Sequence, residues 1–148
     1  RPGSTAPRKW ACTARTTVRV FSANTSGLEE AEEAKRGMSA MVKVSVIIPV
    51  YNVAPYLGEC LDSVIQQSLT DIEIICIDDC STDDSLQLLQ KYAVSDSRIR
   101  ILCNDKNRDV SATRNRGIRE AVGKYIFFMD SDDTFFSNNA LESLYMWR

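Results

Sequence analysis

Two aspartates separated by one residue, Asp130 and Asp132, follow an apolar run that ends at Met129. Carboxylate oxygens are the ligands that Mg²⁺ and Mn²⁺ prefer, and an octahedral ion held by one or two carboxylates keeps coordination positions free for phosphate oxygens. A calcium-binding EF-hand is excluded because its sixth position would be Phe135, where the sharp turn requires glycine. The pair therefore predicts a Mg²⁺ or Mn²⁺ site, although a solvated acidic turn or a helix cap would show the same short pattern.

A second acidic pair, Asp78 and Asp79, ends another apolar run. Adjacent carboxylates at the end of a buried strand are costly unless they meet solvent, hydrogen-bond donors or a ligand. A carboxylate at this point can accept hydrogen bonds from ribose hydroxyls or a base N–H. The alternative is a helix-capping role, because Ser81, Thr82 and Asp83 open the next helical pattern. We favour the ligand role for Asp79, whereas both interpretations stay open for Asp83.

Arg114 and Tyr51 are further candidates for binding a ligand. Arg114 falls in the first turns of a predicted helix, where a guanidinium group could bind phosphate or neutralise the carboxylates. Its alternative is an exposed helix cation. Tyr51 follows an apolar run and could present its ring or its backbone to a base, or it could be a core aromatic at the end of a strand.

Strand and helix patterns that must position these residues alternate four times after Met41. Short apolar, β-branched runs predict strands over residues 44–50, 72–77, 99–103 and 125–129. Helical spacing predicts helices over residues 54–67, 83–93 and 111–122, and a last helix that carries Leu141, Leu144 and Tyr145. Gly123 stands where a left-handed cap of the third helix is expected, and Ser137, Asn138 or Asn139 is expected to cap the last helix.

This alternation predicts the α/β class, with a Rossmann-like parallel sheet and helices on both of its faces. In such a sheet the ligand lies beyond the carboxyl ends of the strands, where loops and helix amino termini converge. Polar residues collect at all four of these ends, over 49–52, 78–79, 104–115 and 130–133. We therefore expect the candidate residues to share one site.

Residues 1–40 differ in composition from the rest of the chain. They are rich in Ser, Thr, Ala and Arg, lack apolar periodicity, and contain no acidic residue before Glu29. We interpret them as a non-native or disordered leader that precedes a native start at Met38 or Met41 and a domain over residues 41–148, with an organellar transit peptide as the alternative.

Bulk composition excludes several classes of function. The chain has 148 residues and a net charge of -2, which argues against a nucleic-acid partner, because such proteins need clustered Lys and Arg. No apolar run approaches the roughly 20 residues that span a bilayer. Five cysteines without a CxxC pair, and no histidine, argue against structural zinc and for a reducing, cytoplasmic setting.

Four strings in register resemble the family 2 glycosyltransferases. They are VSVIIPVYN at 44–52, IDDCSTDDS at 77–85, SATRNRGI at 111–118 and GKYIFFMDSDD at 123–133. Each string alone is a weak signal, but their common order and spacing cover nearly all of the chain after residue 40. The resemblance implies a GT-A fold that binds a nucleoside-diphosphate sugar, with UDP as the expected nucleotide.

The resemblance also implies roles for individual residues and a mechanism. Asp130 and Asp132 would be the D-x-D ligands of Mn²⁺ or Mg²⁺, and Asp130 would also lie beside the donor. Tyr51 and Asp79 would contact the base or ribose, with Asp78 beside them. Pro49 would shape that loop and Arg114 would lie beside the nucleotide. The implied reaction is an inverting transfer to an acceptor hydroxyl in polysaccharide biosynthesis.

Two positions depart from the family pattern. Asp109 and Cys80 stand where glycine is usual, and glycine allows left-handed or close-approach backbone that other residues resist. Asp tolerates such conformations and could instead cap the third helix. The geometry of the loop around Asp109 is therefore the feature that the resemblance does not settle.

The part of the family domain that binds the acceptor and supplies the catalytic base is expected to lie beyond Arg148, so the catalytic residue stays unknown. We expect binding of the sugar donor without efficient transfer to a saccharide or lipid-linked acceptor. Peripheral association with the inner face of a membrane fits such an acceptor. The alternatives are a nucleotidyltransferase, disfavoured because residues 50–56 contain neither Gly nor Lys, and a non-catalytic nucleotide-binding or scaffold domain.

Overall fold

The computed structural model describes residues 42–147, so the predicted leader over residues 1–40 lies outside the described residues. In chain order the elements are β1 (Val44–Val50), α1 (Ala54–Ile65), β2 (Ile72–Asp78), α2 (Ser85–Ser95), β3 (Ile99–Cys103), α3 (Asp109–Glu120), β4 (Tyr125–Phe128) and α4 (Ala140–Met146). Every predicted strand and helix is present, and the boundaries differ from the predicted ones by at most two residues.

The four strands form one parallel sheet in the order β3-β2-β1-β4. Val44 at the start of β1 pairs with Ile72 of β2 on one side and with Tyr125 of β4 on the other. The predicted α/β class with a parallel sheet is confirmed. Because all four strands run the same way, their carboxyl ends lie along one edge of the sheet.

The larger apolar core lies on the face of the sheet that bears alternate residues of β1, from Val44 to Val50. Leu57, Leu61 and Val64 of α1 pack into this core, and Leu89 of α2 is fully buried there. A fully buried aliphatic side chain contributes about 1.5–3 kcal/mol. This packing makes the sheet and these helices a rigid base for the loops that follow each strand.

A smaller core on the opposite face holds α3 close to the sheet. Ile47, Ile75 and Ile77 form this core, and Gly117 of α3 lies directly over it. A Cβ atom on Gly117 would lie 2.5 Å from Ile47 Cγ2 and 2.9 Å from Ile77 Cδ1. Glycine therefore sets the distance between α3 and the sheet, and with it the position of Arg114 one turn earlier.

A buried polar network fixes the other end of α3. Ser45 Oγ donates to Glu73 Oε1 at 2.5 Å, and the same carboxylate accepts from Val122 N at 2.6 Å and from Arg100 Nη1 at 3.0 Å. Gly123 N donates to Ser45 Oγ at 2.8 Å. The end of α3 is thus hydrogen-bonded to the two central strands, β1 and β2, through the carboxylate of Glu73.

The prediction of a left-handed cap at Gly123 is wrong. No glycine among residues 42–147 has a positive φ, and the backbone after α3 is extended at Ala121. A Cβ atom on Gly123 would instead lie 2.6 Å from both the backbone nitrogen and the Oγ of Ser45. Close approach of the chain to β1 is therefore the physical reason for glycine here.

The cap of α4 also comes from a residue that the sequence did not indicate. Asn139 precedes the helix, but its side chain makes no capping hydrogen bond. Gln67, which follows α1, accepts from Leu141 N at 3.0 Å and donates to the carbonyl of Ser137 at 2.8 Å. A distant buried amide replaces the local cap, which ties α4 to the end of α1.

Candidate functional site

A cavity of about 370 Å³ opens at the carboxyl edge of the sheet. Five of the predicted site residues line it, namely Pro49, Tyr51, Asp79, Asp130 and Asp132. The lining is completed by the last residue of β1, by the loops after β3 and β4 and by the first turns of α3, namely Val50, Asn107, Asp109, Val110, Thr113 and Ser131. Residues up to 83 positions apart in the chain are therefore brought to one cavity.

Asp79 is the buried carboxylate of this cavity, with only 4% of its surface exposed. Its Oδ1 accepts from the Asn104 side-chain amide at 2.7 Å and from Arg108 N at 2.9 Å. Its backbone N–H donates to the carbonyl of Val50 at 2.8 Å, which continues the β1–β2 pairing. The side chain is therefore held in one orientation before any ligand binds.

Asp78 lies away from the cavity, on the face of β2 that also carries Ile74 and Cys76. Its Oδ2 accepts from Ser81 N at 3.2 Å, while its Oδ1 is buried without a hydrogen-bond partner. Burial raises the pKa of Asp78, and the hydrogen bond from Ser81 opposes that rise. These contacts favour a role in shaping the turn after β2, and the predicted contact of Asp78 with a nucleotide stays a prediction.

Tyr51 reaches the cavity through a loop that is fastened to the loop after β2. Tyr51 is 48% exposed, and the next residue, Asn52, has a φ of 49°. Asn52 Oδ1 accepts from Thr82 N at 2.8 Å and from Asp83 N at 3.3 Å. These hydrogen bonds join the two loops, which place Tyr51 and Asp79 in the lining of the same cavity.

Of the two interpretations left open for Asp83, a ligand contact and a helix cap, the structure shows the helix cap. Its carboxylate accepts from Ser85 N at 2.9 Å at the start of α2 and from Ala54 N at 3.1 Å at the start of α1. Burial raises the pKa of Asp83, but the hydrogen bonds from Ser85 and Ala54 outweigh it and leave that pKa below its ordinary value. The ionised carboxylate thus joins two helix amino termini.

Asp130 and Asp132 form the exposed side of the cavity. The Asp130 side chain is 54% exposed, and Arg114 Nη2 lies 2.7 Å from its Oδ1. The Arg114 guanidinium also lies 5.8 Å from the centre of the Phe128 ring, within the range of a cation–π contact. Arg114 therefore neutralises Asp130, one of the two outcomes expected from the sequence.

The thiol of Cys60 supports the main chain under this acidic turn. Cys60 Sγ lies 3.6 Å from the carbonyl oxygen of Asp130 and donates a weak hydrogen bond to it. Burial, followed by the charges of Asp133, Asp132 and Asp130, raises the pKa of Cys60 to about 12. The sulfur is a neutral thiol and acts as a small core group.

The charge of the cavity lining is strongly negative. Asp79, Asp109, Asp130 and Asp132 all line it, and no Lys or Arg belongs to the lining within residues 42–147. A diphosphate would meet these carboxylates unfavourably without a bound cation. Within the same residues, no three His, Cys, Asp or Glu groups lie close enough to hold a metal alone. The donor set fits a Mg²⁺ or Mn²⁺ ion bound by one or two carboxylates together with ligand and water oxygens.

Several lining residues were not predicted from the sequence. Asp109 was considered for its backbone and as a cap of the third helix but not as a lining residue, and it has a φ of 70° while its Oδ1 accepts from Ala112 N at 3.0 Å. Asn107, Val110 and Thr113 were not singled out at all. Their sequence signals are their place in the polar segment after β3 and, for Thr113, the string at 111–118, and both mark a region and not individual side chains.

Comparison with known proteins gives a family match and close relatives. A family model described as glycosyl transferase family 2 matches residues 45–147. The chain is 47% identical over 90 residues to the uncharacterized glycosyltransferase EpsJ of Bacillus subtilis strain 168, which covers 61% of this chain and 26% of EpsJ. It is 41% identical over 109 residues to the poly(ribitol-phosphate) beta-glucosyltransferase of Bacillus spizizenii, which covers 72% of this chain and 17% of that enzyme.

A solved structure shares the fold. The crystal structure of S. aureus TarS 1–349 in complex with UDP-GlcNAc superposes with a TM-score of 0.65 and 33% sequence identity, over 70% of this chain and 30% of that one. The chain therefore spans 17–30% of the length of these three proteins. Most of each relative lies outside the region of similarity.

Proposed function

The chain belongs to glycosyl transferase family 2, and from this premise we propose that its cavity binds a nucleoside-diphosphate sugar as the donor for sugar transfer. The complex of TarS with UDP-GlcNAc supports a UDP-sugar as that donor. The name of the Bacillus spizizenii relative, a poly(ribitol-phosphate) beta-glucosyltransferase, supports a polymer acceptor for the whole protein, and we propose a saccharide or lipid-linked acceptor of this kind. Its place of action would be the cytoplasm or the inner face of a membrane, and no helix within residues 42–147 is long and apolar enough to cross one.

Within the cavity, we assign the nucleoside to the side formed by β1 and β2. Tyr51 would contact the base there, and Asp79 would accept a hydrogen bond from the base or ribose. Pro49 would keep the β1 loop in shape. Support comes from the buried, hydrogen-bonded state of Asp79 and from the half-exposed ring of Tyr51 beside it. A rigid acceptor and an accessible aromatic face suit a nucleoside.

We assign the diphosphate and a Mn²⁺ or Mg²⁺ ion to the opposite side, at Asp130 and Asp132. The observation that carries this assignment is the acidic lining, with four carboxylates and no cationic side chain among the described lining residues. When bound, the metal would neutralise the negative charge that develops on the departing diphosphate. Arg114, already 2.7 Å from Asp130, would supply a second positive charge at the same place.

The proposed reaction inverts the anomeric carbon, with an acceptor hydroxyl that displaces the nucleoside diphosphate. This chain's residues would hold the donor, exclude water from the buried side at Asp79 and orient the diphosphate towards the exposed side. We assign no catalytic base within residues 42–147, because no observation places a carboxylate among them next to an acceptor hydroxyl.

Isothermal titration with UDP tests the donor site. The wild-type chain should bind UDP in the presence of Mn²⁺ and bind it much more weakly when EDTA replaces the metal. Asp132→Ala and Asp130→Ala should each lower the affinity for UDP with Mn²⁺ by at least about tenfold. Asp71→Ala is the matched control, because Asp71 is an exposed carboxylate at the opposite edge of the sheet, paired with Lys43. Equal affinity in all three variants would overturn the metal assignment.

A further inference from the structure

Asn104 is a buried residue at the end of β3 that neither the motifs nor the family match assigns to the site. Only 3% of its surface is exposed, and it does not belong to the lining of the cavity. Its side-chain amide nevertheless makes hydrogen bonds to three residues, one in the loop after β2 and two in α3. A buried amide with this many partners has one stable orientation, and that orientation is transmitted to its neighbours.

The partners of Asn104 define the direction in which its amide points. Its Nδ2 donates to Asp79 Oδ1 at 2.7 Å and to Thr113 Oγ1 at 3.0 Å. Its Oδ1 accepts from Arg116 Nη1 at 2.7 Å, and the same Arg116 nitrogen donates to the carbonyl of Cys103. Because Arg116 is only a donor, the oxygen of the amide must face Arg116 and the nitrogen must face Asp79.

This arrangement leaves Asp79 with one occupied and one available oxygen. Asn104 Nδ2 and Arg108 N both donate to Oδ1. Within residues 42–147, no hydrogen bond to the other oxygen of Asp79 is observed. The carboxylate therefore presents one acceptor, in one orientation, to a donor group on the ligand.

We propose that Asn104 is a positioning residue for nucleoside recognition, which holds the Asp79 carboxylate so that its Oδ2 accepts a hydrogen bond from the bound nucleoside. Thr113 and Arg116 fix the amide from α3, so the same contact sets the spacing between α3 and the end of β2. The inference rests on the proposed donor site. The proposal adds to that site a residue through which a ligand with a nucleoside, such as UDP, is bound more tightly than a diphosphate without one.

The full chain is titrated with two probes, UDP and inorganic pyrophosphate, each in the presence of Mn²⁺. The comparison separates an effect on nucleoside binding from an effect on binding of the diphosphate and the metal. Asn104→Ala and the isosteric Asn104→Asp should lower UDP affinity by about tenfold, because a hydrogen bond to a charged group is lost or reversed. Pyrophosphate affinity should stay within about twofold, since Asp79 lies on the nucleoside side. Asp79→Ala should show the same selective loss.

Matched variants guard against a general loss of structure. Asn138→Ala removes an exposed amide side chain that makes no described hydrogen bond, and both affinities should stay at the wild-type value. Thr113→Val preserves side-chain volume and removes one support of Asn104, so a smaller selective loss of UDP affinity is expected even if Asn104→Ala fails to fold. Thermal denaturation without ligand identifies any variant that is unfolded.

The outcomes distinguish the two proposals. A wild-type chain that binds neither probe overturns the proposed donor site itself. Wild-type binding of UDP with unchanged affinity in both Asn104 variants and in Thr113→Val overturns the positioning role alone. Equal losses for UDP and pyrophosphate in folded variants also overturn it, because they would show a general structural effect. A selective loss of UDP affinity supports it.

Discussion

The two sides of the cavity hold their carboxylates in opposite ways. Asp79 is 4% exposed, and two protein donors lie 2.7 and 2.9 Å from its Oδ1. The Asp130 side chain is 54% exposed, and its carboxylate has one partner, Arg114, at 2.7 Å. Folding alone therefore builds the side assigned to the nucleoside, whereas the side assigned to the cation is left adaptable.

The difference follows from the environment of each group. A buried carboxylate must be hydrogen-bonded or its charge is too costly, so its partners are part of the fold. An exposed ion pair contributes only about 0–1 kcal/mol and can exchange partners at little cost. A metal ion and a diphosphate can therefore take the place of the Arg114 contact without unfolding any element.

The same substitution on the two sides gives the largest expected contrast. Asp79→Ala removes the acceptor of the part-buried Arg108 N and leaves the buried Asn104 Nδ2 with Thr113 Oγ1 alone, so we expect it to lower the free energy of unfolding by about 2 kcal/mol. Asp132→Ala should change it by less than about 0.5 kcal/mol, since that side chain is exposed. Urea denaturation without ligand measures both. A comparable loss in the two variants would show that the cation side is also part of the folded framework.

Two helical glycines test how firmly α3 is held over the sheet. Gly117→Ala places a methyl group 2.5 Å from Ile47, and this overpacking should cost about 1–3 kcal/mol. Gly58→Ala in α1 is the matched control, because its new methyl group would lie 3.5 Å from Tyr92 Oη. The control should gain up to about 1 kcal/mol from helix propensity. If Gly117→Ala were as stable as Gly58→Ala, α3 would be free to shift, and Arg114 would not be positioned by this contact.

Asp78, which is buried beside Asp79 in the sequence but faces away from the cavity, should make the free energy of unfolding depend on pH. Burial raises the pKa of Asp78 in the folded state above its unfolded value, so the folded chain holds the proton more tightly. The ionised carboxylate then destabilises the fold at neutral pH, and this penalty disappears as the pH falls through the folded-state pKa towards about 4. Asp78→Asn should therefore be more stable than the wild type at pH 7.

The measurement is the difference in urea midpoint between Asp78→Asn and the wild type at a series of pH values. The advantage of the variant should shrink steadily from neutral pH towards about pH 4. An advantage that stays constant over this range would come from packing and not from ionisation. An advantage that grew as the pH fell would reverse the assigned direction.

Much of the fold was accessible from the sequence because the apolar runs are continuous. The strands at 44–50 and 72–78 are buried on both faces, and such runs are typical of central parallel strands. The α/β class, the four strand positions and the family resemblance are confirmed. The order β3-β2-β1-β4 was not predicted, since strand order depends on which helix covers which face and not on the strand sequences themselves.

The site was predicted only where a motif or a strand end marked it. Asp79, Asp130 and Tyr51 follow directly after apolar runs, and all three line the cavity. Asn104 and Thr113 were missed because a single buried polar residue shows no pattern in the sequence, and its value appears only when its hydrogen-bond partners are known. For the same reason Gly123 was assigned to a helix cap, although its contact with Ser45 decides its role.

The smallest expected effects concern the two residues that replace the usual glycines. Cys80 has a φ of 66° and Asp109 a φ of 70°, so both keep the left-handed backbone that favours glycine. Cys80→Gly should raise the free energy of unfolding by about 0.5–1 kcal/mol, because the strain on a residue with a Cβ is relieved and part of the gain is offset by chain entropy. Asp109→Gly should change it by less than about 0.5 kcal/mol, because it also loses the hydrogen bond to Ala112 N.

Urea denaturation under reducing conditions compares the two variants, since Cys80 is a free, exposed thiol. A clear gain for Cys80→Gly with little change for Asp109→Gly would show that the aspartate offsets its backbone strain through its own side chain. Equal gains would mean that the bond from Ala112 N contributes nothing to stability. Asp109 would then be retained at the cavity for its charge beside the ligand, which would extend the adaptable side of the site to the start of α3.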